Sequence, residues 1–146
     1  MMFKRKGKIS DLNEIYLLEK MIFKDEAWTP KMLKIELLNN RNSKTLIVEE
    51  DGEILGYIIS RRFLTEHHIL NLGVLPNRQK EGIGTMLLKS FLKDINMVSS
   101  VFLEVKKSNF KALNLYKKSG FKILSERKNY YKDGSCALIM NFYKAI

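Results

Sequence analysis

Two hydrophobic periods alternate along the chain and predict its secondary structure. Apolar residues recurring at helical spacing predict helices over 12–22, 30–38, 82–92 and 110–118. Short alternating or nearly unbroken apolar runs predict strands over 3–9, 45–49, 54–60, 68–75, 101–105, 121–126 and 137–142. Strands and helices follow one another, with hairpins at both ends. We therefore predict an α/β fold in which a mixed sheet carries helices on both faces.

Residues at the segment ends support these boundaries. Asp11 followed by Glu14 has the spacing of a capping box and is expected to begin the first helix. Thr29 before Pro30 places a good N-cap ahead of proline in the first helical turn. The pair Asp51-Gly52 predicts a tight turn between two strands.

Composition limits the class of protein. The chain has 146 residues, of which 45% are hydrophobic, and this suits a single domain over 1–146 with one core. Charges interrupt every apolar stretch and no apolar signal core follows the basic N-terminus, so a cytoplasmic protein is expected. The single cysteine, Cys136, excludes an internal disulfide. The adjacent His67 and His68 point to opposite faces of a strand, so no metal site is predicted.

The formal net charge of +10 leaves two interpretations open. A basic surface attracts nucleic acid or the surface of a ribosome. Lysines spread over nearly every segment also form an ordinary solvated surface, and their scatter favours this second interpretation. In either case the positive electrostatic field of the protein favours binding of an anionic ligand.

A glycine-rich segment joins the strand over 68–75 to the helix over 82–92. Gly82 and Gly84 leave the backbone uncovered where the unpaired N–H groups and the dipole of the helix attract an anion such as a pyrophosphate. The spacing is neither that of the dinucleotide-binding fingerprint nor that of a P-loop. Judged by the spacing alone, glycines that only turn the chain are an equally good interpretation.

This segment resembles the phosphate-binding motif of the GNAT acetyltransferase superfamily through Gln79-x-x-Gly82-x-Gly84. The run before it resembles the family's strand that splays from its neighbour and pairs with the pantetheine arm of acetyl-CoA. The resemblance implies the GNAT fold, a mixed and mostly antiparallel sheet of about seven strands, with acetyl-CoA as cosubstrate and no metal. It assigns cofactor contacts to Leu72, Gly73, Val74, Gln79, Lys80, Glu81, Gly82, Ile83, Gly84, Thr85 and Asn109.

The resemblance also assigns a hydrogen-bond donor to the reaction. In the family, one backbone N–H of the splayed strand polarises the thioester carbonyl, and the matching group here is the Val74 N–H. Such a donor matters because negative charge gathers on that oxygen during acyl transfer.

Further motifs resemble those of the RimI group within this superfamily, in the same order: Leu103-Glu104-Val105, Ser108-Asn109, Leu115-Tyr116 and Ser119-Gly120-Phe121. The resemblance makes Glu104 the general base and Tyr116 the proton donor to the thiolate. An amine nucleophile must lose a proton, and an apolar strand would strip water from Glu104 and make it a stronger base. Without the resemblance, Glu104 suits a solvent-facing strand residue, Tyr116 suits helix packing and Asn109 suits a helix cap.

The acceptor side is also assigned by resemblance. The run 127–131 resembles the Arg-Arg-Asn-Tyr-Tyr of the RimI group, and the segment after the first helix resembles its substrate-facing segment. These matches assign acceptor binding to Glu19, Phe23, Trp28, Tyr130 and Tyr131. Trp28 suits the hydrophobic core equally well. The chain departs from the group's usual residues at 26–29 and at 135–136, and the second departure bears on substrate preference more than on acetyl transfer.

Together these features imply an acetyl-CoA-dependent N-acetyltransferase that modifies the N-terminal α-amine of a protein by direct attack in a ternary complex. In the RimI group the acceptor is the N-terminal alanine of a small-subunit ribosomal protein. Transfer to lysine side chains or small amines is the alternative within the same chemistry. A non-catalytic basic module that binds RNA or ribosomes is the alternative from another class. For the enzyme, neither a membrane nor a nucleic acid is an expected requirement.

Overall fold

The computed structural model describes residues 1–39 and 41–145. The strands are β1 (Met2–Lys6), β2 (Ser43–Glu50), β3 (Glu53–Phe63), β4 (Glu66–Val74), β5 (Ser99–Lys106), β6 (Lys122–Arg127) and β7 (Ala137–Lys144). The helices are α1 (Leu12–Phe23), α2 (Pro30–Leu38), α3 (Ile83–Asp94) and α4 (Phe110–Lys118), and short 3-10 turns lie at Ile9–Asp11, Lys24–Glu26 and Pro76–Arg78. The predicted elements are therefore confirmed, with ends that shift by up to three residues.

All seven strands form one sheet in the order β1-β2-β3-β4-β5-β7-β6. Every neighbouring pair is antiparallel except β4 and β5, which are parallel. This confirms the mixed, mostly antiparallel sheet. The parallel pair is possible because α3 carries the chain from β4 back to the start of β5.

The two faces of the sheet carry different helices. A Cβ atom on Gly56 would meet Ile83 and Leu87 of α3, whereas one on the neighbouring strand at Gly73 would meet Ile22 of α1. Since these glycines point to opposite faces, α1 and α3 lie on opposite sides of the sheet. Fully buried side chains from both layers complete the core, among them Ile15, Leu33, Ile47, Ile58, Leu87, Leu88 and Met140.

Two of the three predicted boundary signals are confirmed. The Thr29 hydroxyl accepts a hydrogen bond from the Met32 N–H at 3.2 Å and begins α2. Asp51 and Gly52 turn the β2–β3 hairpin with φ of +52° and +79°, the left-handed backbone that a tight turn requires.

The capping box predicted at Asp11 and Glu14 is wrong. The Asp11 carboxylate accepts hydrogen bonds from the Lys8 N–H and from the Arg5 guanidinium, and the Glu14 carboxylate accepts the Ile54 N–H at 2.7 Å. Both acids therefore bind groups outside α1, because tertiary neighbours offer them better donors than the helix terminus does.

The Arg5–Asp11 pair gives a prediction about stability. The Arg5 hydrogen bond, followed by that of the Lys8 N–H, lowers the pKa of Asp11. Because the pKa of Asp11 is lower in the folded protein, its carboxylate contributes its full stability above the ordinary value of 3.8. That contribution is lost as the pH falls through the lowered pKa. We expect Asp11→Asn to reduce the free energy of unfolding by about 1–3 kcal/mol at neutral pH. The difference in free energy of unfolding between wild type and Asp11→Asn should become smaller in urea unfolding curves recorded below pH 4.

An exposed acid provides the control for this measurement. Asp94 pairs with Lys44 at 2.8 Å, and about half of each side chain is exposed. Asp94→Asn should therefore change stability by less than about 0.5 kcal/mol. Equal losses in the two variants would contradict the role given to Asp11.

Among the helices of the described residues, none combines the length and apolar character needed to cross a membrane.

Candidate active site

The parallel strands β4 and β5 separate before they end. They pair only from Glu66 with Ser100 to Ile69 with Leu103. The register of β4 on β3 shifts next to this point, between Ile59 and Ser60, which is the mark of a β-bulge. The catalytic gap, defined as the space between Leu70–Val74 of β4 and Glu104–Lys106 of β5, therefore opens inside the sheet.

The backbone groups of β4 that face this gap follow from its pairing. The Leu75 N–H donates to the Leu55 carbonyl of β3 at 2.8 Å. Since backbone groups alternate in direction along a strand, the N–H groups of Val74 and Leu72 point away from β3 and into the gap. The backbone of β5 alternates in the same way. The Lys107 N–H donates to the Cys136 carbonyl, so the backbone groups of Glu104 and Lys106 face the gap. The gap can thus accept an extended ligand as an additional strand.

Side chains from both helix layers converge on a cavity of about 190 Å³ in the catalytic gap. It is lined by Glu19, Phe23, Glu26, Trp28, Ile69, Leu70, Asn71, Leu72, Leu103, Glu104, Val105, Lys106, Asn109, Ala112, Tyr116 and Tyr131. Asn109 is also the N-cap of α4, since its side chain accepts the Ala112 N–H at 3.2 Å. The structure thus gives Asn109 the capping role that its sequence position allowed.

Glu104 lies where the catalytic gap meets a second, open cavity of about 390 Å³ on the α1 face of the sheet. The strand alternates, so Glu104 projects outward between the buried Leu103 and Val105. Its side chain is 36% exposed and lies 3.5 Å from the Arg127 guanidinium. The prediction that its apolar strand desolvates Glu104 is wrong, because the apolar neighbours occupy the other face. The carboxylate is accessible to a ligand.

Tyr116 lies on the opposite side of the catalytic gap, on α4. Its side chain is buried, with 6% exposed, and its ring packs edge-on against Phe121 at 5.8 Å. Burial raises the pKa of the Tyr116 phenol above its usual value of 10.0. The phenol therefore stays protonated at neutral pH and can donate to a group in the gap.

The predicted anion site lies at the N-terminus of α3. Gly82 is the N-cap with φ of +82°, and no side chain of residues 1–39 or 41–145 caps the helix there. The only intrahelical use of this residue is its carbonyl, which accepts the Met86 N–H. The N–H groups of Ile83, Gly84 and Thr85 in the first turn are thus available to an anion.

The side chains before α3 hold the loop in place. Gln79 donates to the Val74 carbonyl at 3.2 Å and accepts from Lys111 at 3.3 Å. Arg78 binds Glu81 at 2.8 Å, so Glu81 is engaged by a neighbouring cation and Lys80 is left exposed. The Glu81 carboxylate would repel an anionic ligand, so the cofactor contact that the resemblance assigned to Glu81 stays a prediction for its backbone alone. Glu81 fits a role in holding the loop.

Gly84 has a packing reason that its motif did not indicate. A Cβ atom there would lie 3.2 Å from Leu115 Cδ2 on α4. The missing side chain at Gly84 therefore lets α3 and α4 approach one another beside the catalytic gap.

Glu19 is the most deeply buried of the predicted acceptor residues. It is fully buried, and its carboxylate accepts hydrogen bonds from the Tyr57 hydroxyl at 2.6 Å, the Trp28 N–H at 2.8 Å and the Asn71 amide. Burial raises its pKa. Glu19 belongs to the lining of the catalytic gap, but its carboxylate is already bound by these three donors, so a direct contact with an acceptor stays a prediction. Glu19 ties α1 to the sheet and to the segment that carries Trp28.

Gly73 has a place in this arrangement. A Cβ atom at Gly73 would lie 2.6 Å from the Tyr57 hydroxyl oxygen, so only glycine leaves room for the Tyr57–Glu19 hydrogen bond. The resemblance assigned Gly73 to the cofactor, and the structure shows a second reason for glycine at this position.

The remaining predicted acceptor residues divide into two groups. Phe23, Trp28 and Tyr131 all line the catalytic gap. Trp28 is half-buried and also packs against the core, which confirms its core interpretation, while its contact with an acceptor stays a prediction. Tyr130 is not among the residues lining the gap; it is 49% exposed and lies under the Arg127 guanidinium.

Sequence reasoning missed a clamp over the acceptor side. The Lys106 ammonium binds Glu26 at 3.1 Å and Asp133 at 2.6 Å, and it lies 5.5 Å from the centre of the Tyr131 ring. Lys106 therefore joins the segment after α1 to the β6–β7 loop. No local signal could have shown this, since the three charges are far apart in the sequence. Asn71 was also missed, although a single amide in the apolar run 69–75 was a signal.

Comparison with known proteins shows what class of protein this fold and site define. The family described as "Acetyltransferase (GNAT) family" matches residues 9–121. The chain therefore belongs to the GNAT family of acetyltransferases. It is an N-acetyltransferase, and its resemblance to the RimI group is confirmed.

Three similar proteins illustrate this. An N-alpha-acetyltransferase of Sulfurisphaera tokodaii is 30% identical, over 93% of this chain and 89% of its own. The ribosomal-protein-S18-alanine N-acetyltransferase of Escherichia coli has a crystal structure with a TM-score of 0.92, 26% identity and coverage of 100% of this chain and 96% of that one. Arabidopsis thaliana NAA60, solved in complex with acetyl-CoA, shares the fold with a TM-score of 0.83 at 19% identity, over 98% of each chain.

Proposed function

We propose that this chain transfers an acetyl group from acetyl-CoA to the N-terminal α-amine of a protein, and that this protein is a small-subunit ribosomal protein with an N-terminal alanine. One observation supports this above the others. The catalytic gap brings an accessible carboxylate, Glu104, and a buried phenol, Tyr116, to the two sides of an opening lined by free backbone N–H groups.

The residues around the gap fit acetyl-CoA. The uncapped N-terminus of α3, with Lys80 beside it, suits a pyrophosphate. The unpaired edge of β4 suits the amide-bearing pantetheine arm, and its Val74 N–H can donate to a carbonyl oxygen. When bound, acetyl-CoA supplies an activated acetyl group on a sulfur that leaves as a thiolate.

Two side chains handle the protons. Glu104 accepts a proton from the acceptor ammonium, directly or through water, because it is open to the cavity on the α1 face. Tyr116 holds a proton at its phenol oxygen and donates it toward the leaving sulfur, since burial keeps that phenol protonated. Arg127 lies 3.5 Å from the Glu104 carboxylate, and the positive amine of an acceptor competes with it for that carboxylate.

Two further considerations favour an α-amine and a ribosomal acceptor. An α-amine has an ordinary pKa of about 7.7–8.0, against about 10.4 for lysine, so a carboxylate removes its proton more readily. The relatives favour the same acceptor, since one is an N-alpha-acetyltransferase and another is a ribosomal-protein-S18-alanine N-acetyltransferase. Lys106 pairs with Glu26 and Asp133, so these two acids are not free to bind a peptide. The walls left for a peptide are the aromatic rings of Trp28, Phe23 and Tyr131.

A peptide panel tests this proposal. The purified chain is incubated with acetyl-CoA and one of three acceptors: a peptide with a free N-terminal alanine and ribosomal-type sequence, its N-blocked twin containing lysine, or spermidine. Mass spectrometry with site mapping identifies the product. Acetyl on the free α-amine alone is the expected result. Acetyl only on lysine or spermidine would overturn the α-amine assignment, and preference for an unrelated N-terminus would overturn the ribosomal one.

Tyr116 gives a separable prediction. Tyr116→Phe keeps the ring against Phe121 and removes only the hydroxyl, so we expect kcat to fall by roughly 10- to 100-fold with little change in the KM for acetyl-CoA. Steady-state kinetics on the favoured peptide measure both constants. Tyr143→Phe, at an exposed position of β7, serves as the control and should leave kcat unchanged. An unaltered kcat in Tyr116→Phe would remove the phenol from the mechanism.

A further inference from the structure

A second concavity lies at the other end of the sheet. This basic cavity has a volume of about 310 Å³, and its charged and titratable lining residues are Lys6, Arg41, Lys44, Arg62, His67 and Asp94. They come from the end of β1, the turn before β2, the start of β2, the end of β3, the start of β4 and the end of α3. His67 and Val74 lie seven positions apart on β4, roughly 23 Å at about 3.3 Å per residue, so the basic cavity is distinct from the catalytic gap.

The charges in this cavity do not balance. Asp94 is the only acid lining it in the described part of the chain, and it is paired with Lys44 at 2.8 Å. Lys6, Arg41 and Arg62 form no ion pair with any described acid. Three exposed cations, Lys6 on β1, Arg41 in the turn before β2 and Arg62 on β3, therefore surround one concavity without counter-charges. Such an arrangement is unfavourable for folding alone, and a bound anion would relieve it.

His67 lies in the same cavity and senses this charge. Its Nδ1 lies 2.7 Å from the Ser99 hydroxyl, and its ring packs edge-on against Phe91. Burial lowers the pKa of His67, and the positive charges of Arg62, His68 and Lys44 lower it further. The imidazole is therefore neutral at pH 7 and provides a built-in probe of the local potential.

The open end of α3 does not supply the missing negative charge. The Lys144 ammonium donates to the Leu92 carbonyl at 2.5 Å and to the Lys93 carbonyl at 3.4 Å. These carbonyls carry the negative end of the helix dipole, so a cation from β7 already occupies them.

We propose that the basic cavity binds the phosphodiester backbone of a nucleic acid. The three cations have long, exposed side chains around one cavity. This arrangement suits a line of phosphates held by charge better than one small ligand held by a rigid set of donors. Lysine and arginine bound to successive phosphates release counterions, so the binding depends steeply on salt. The site is separate from acetyl transfer and does not rest on the proposed function.

Fluorescence anisotropy of labelled oligonucleotides tests this proposal. Single-stranded RNA and DNA of one mixed sequence are titrated with the full chain at several salt concentrations, with inorganic phosphate as the small-anion arm. The test variant carries Lys6→Gln, Arg41→Gln and Arg62→Gln. A matched control carries Lys31→Gln, Lys34→Gln and Lys118→Gln, which removes the same charge from exposed positions on α2 and α4. Thermal unfolding confirms that both variants fold.

The expected results distinguish the cavity from net charge. Affinity of the test variant should fall at least about tenfold at 0.1 M salt, with the slope of log K against log salt smaller by about 2, since each single-strand phosphate contact contributes roughly 0.7. The control should lose less than about threefold. Equal losses in both variants, no oligonucleotide binding by the wild type, or competition by millimolar inorganic phosphate alone would each overturn the proposal.

A second readout does not depend on affinity. The pKa of His67, followed by proton NMR of its imidazole, should rise when oligonucleotide is added because phosphate offsets the nearby cations. His68 lies on the opposite face of β4 and is the internal control. A shift of His68 without one of His67 would place the nucleic acid elsewhere.

Discussion

Glu104→Gln should lower kcat/KM for the favoured peptide by roughly 10²- to 10⁴-fold, because the amide cannot take a proton from the acceptor amine. The loss should appear mainly in kcat, since glutamine keeps the size of the side chain and leaves the wall of the catalytic gap intact. Binding of acetyl-CoA, measured by calorimetry, should not change. Thermal stability should also stay within about 0.5 kcal/mol of wild type, because the replaced carboxylate is partly exposed.

Glu66→Gln is the matched control for this variant. Glu66 lines the same open cavity as Glu104 but lies at the start of β4, away from the catalytic gap. It should retain at least about half of the wild-type rate, which is within ordinary surface variation. Glu104→Gln with full activity would exclude Glu104 as the base. A comparable loss of kcat/KM in Glu66→Gln would indicate that the negative charge of the cavity, and not proton transfer to Glu104, is what the reaction needs.

Glu19→Ala should have the largest effect on stability among single changes near the site. It leaves the Tyr57 hydroxyl, the Asn71 amide and the Trp28 N–H without their acceptor. Since each buried donor left unpaired costs about 1–3 kcal/mol, we expect the free energy of unfolding to fall by about 3–5 kcal/mol in urea denaturation. Asp25→Ala, at an exposed position just after the same helix, should change it by less than about 0.5 kcal/mol.

The stability difference between wild type and Glu19→Ala should depend on pH in a defined direction. Burial raises the pKa of Glu19 above its ordinary value of 4.5, so the folded protein holds this proton more tightly than the unfolded chain does. The stability contributed by Glu19 is then fully present below pH 4.5 and declines as the pH rises through the raised value. The difference between wild type and Glu19→Ala should therefore be larger at pH 4 than at pH 7. A difference that grows with pH would show that the three hydrogen bonds outweigh burial.

Much of the fold could be predicted because helices and strands follow from the spacing of hydrophobic residues that lie close together in the sequence. Helix α2 begins at Pro30, as Thr29 and Pro30 predict, and α4 has the predicted bounds. The capping box at Asp11 failed for the opposite reason. Its residues have the right spacing, but Arg5 and the Ile54 N–H compete for them from other elements.

The candidate site divides along the same line. The motifs placed Glu104, Tyr116 and the loop before α3 on the correct elements, because those motifs are short and continuous. The sequence left open whether Glu104 is exposed, and it did not show that Glu19 is buried or that Lys106 joins two loops. Exposure depends on which face of β5 the helices cover, and the hydrogen-bond partners of Glu19 come from three different elements.

The sequence by itself thus determined the elements, their order and the family, since hydrophobic period and local motifs are properties of neighbouring residues. Only the tertiary structure decided where β4 and β5 part and which backbone N–H groups face the gap, because strand pairing joins residues distant in the chain. It also decided that Lys6, Arg41 and Arg62 meet around one cavity while other lysines remain dispersed. Charge is counted along a sequence, but its potential depends on distances in space.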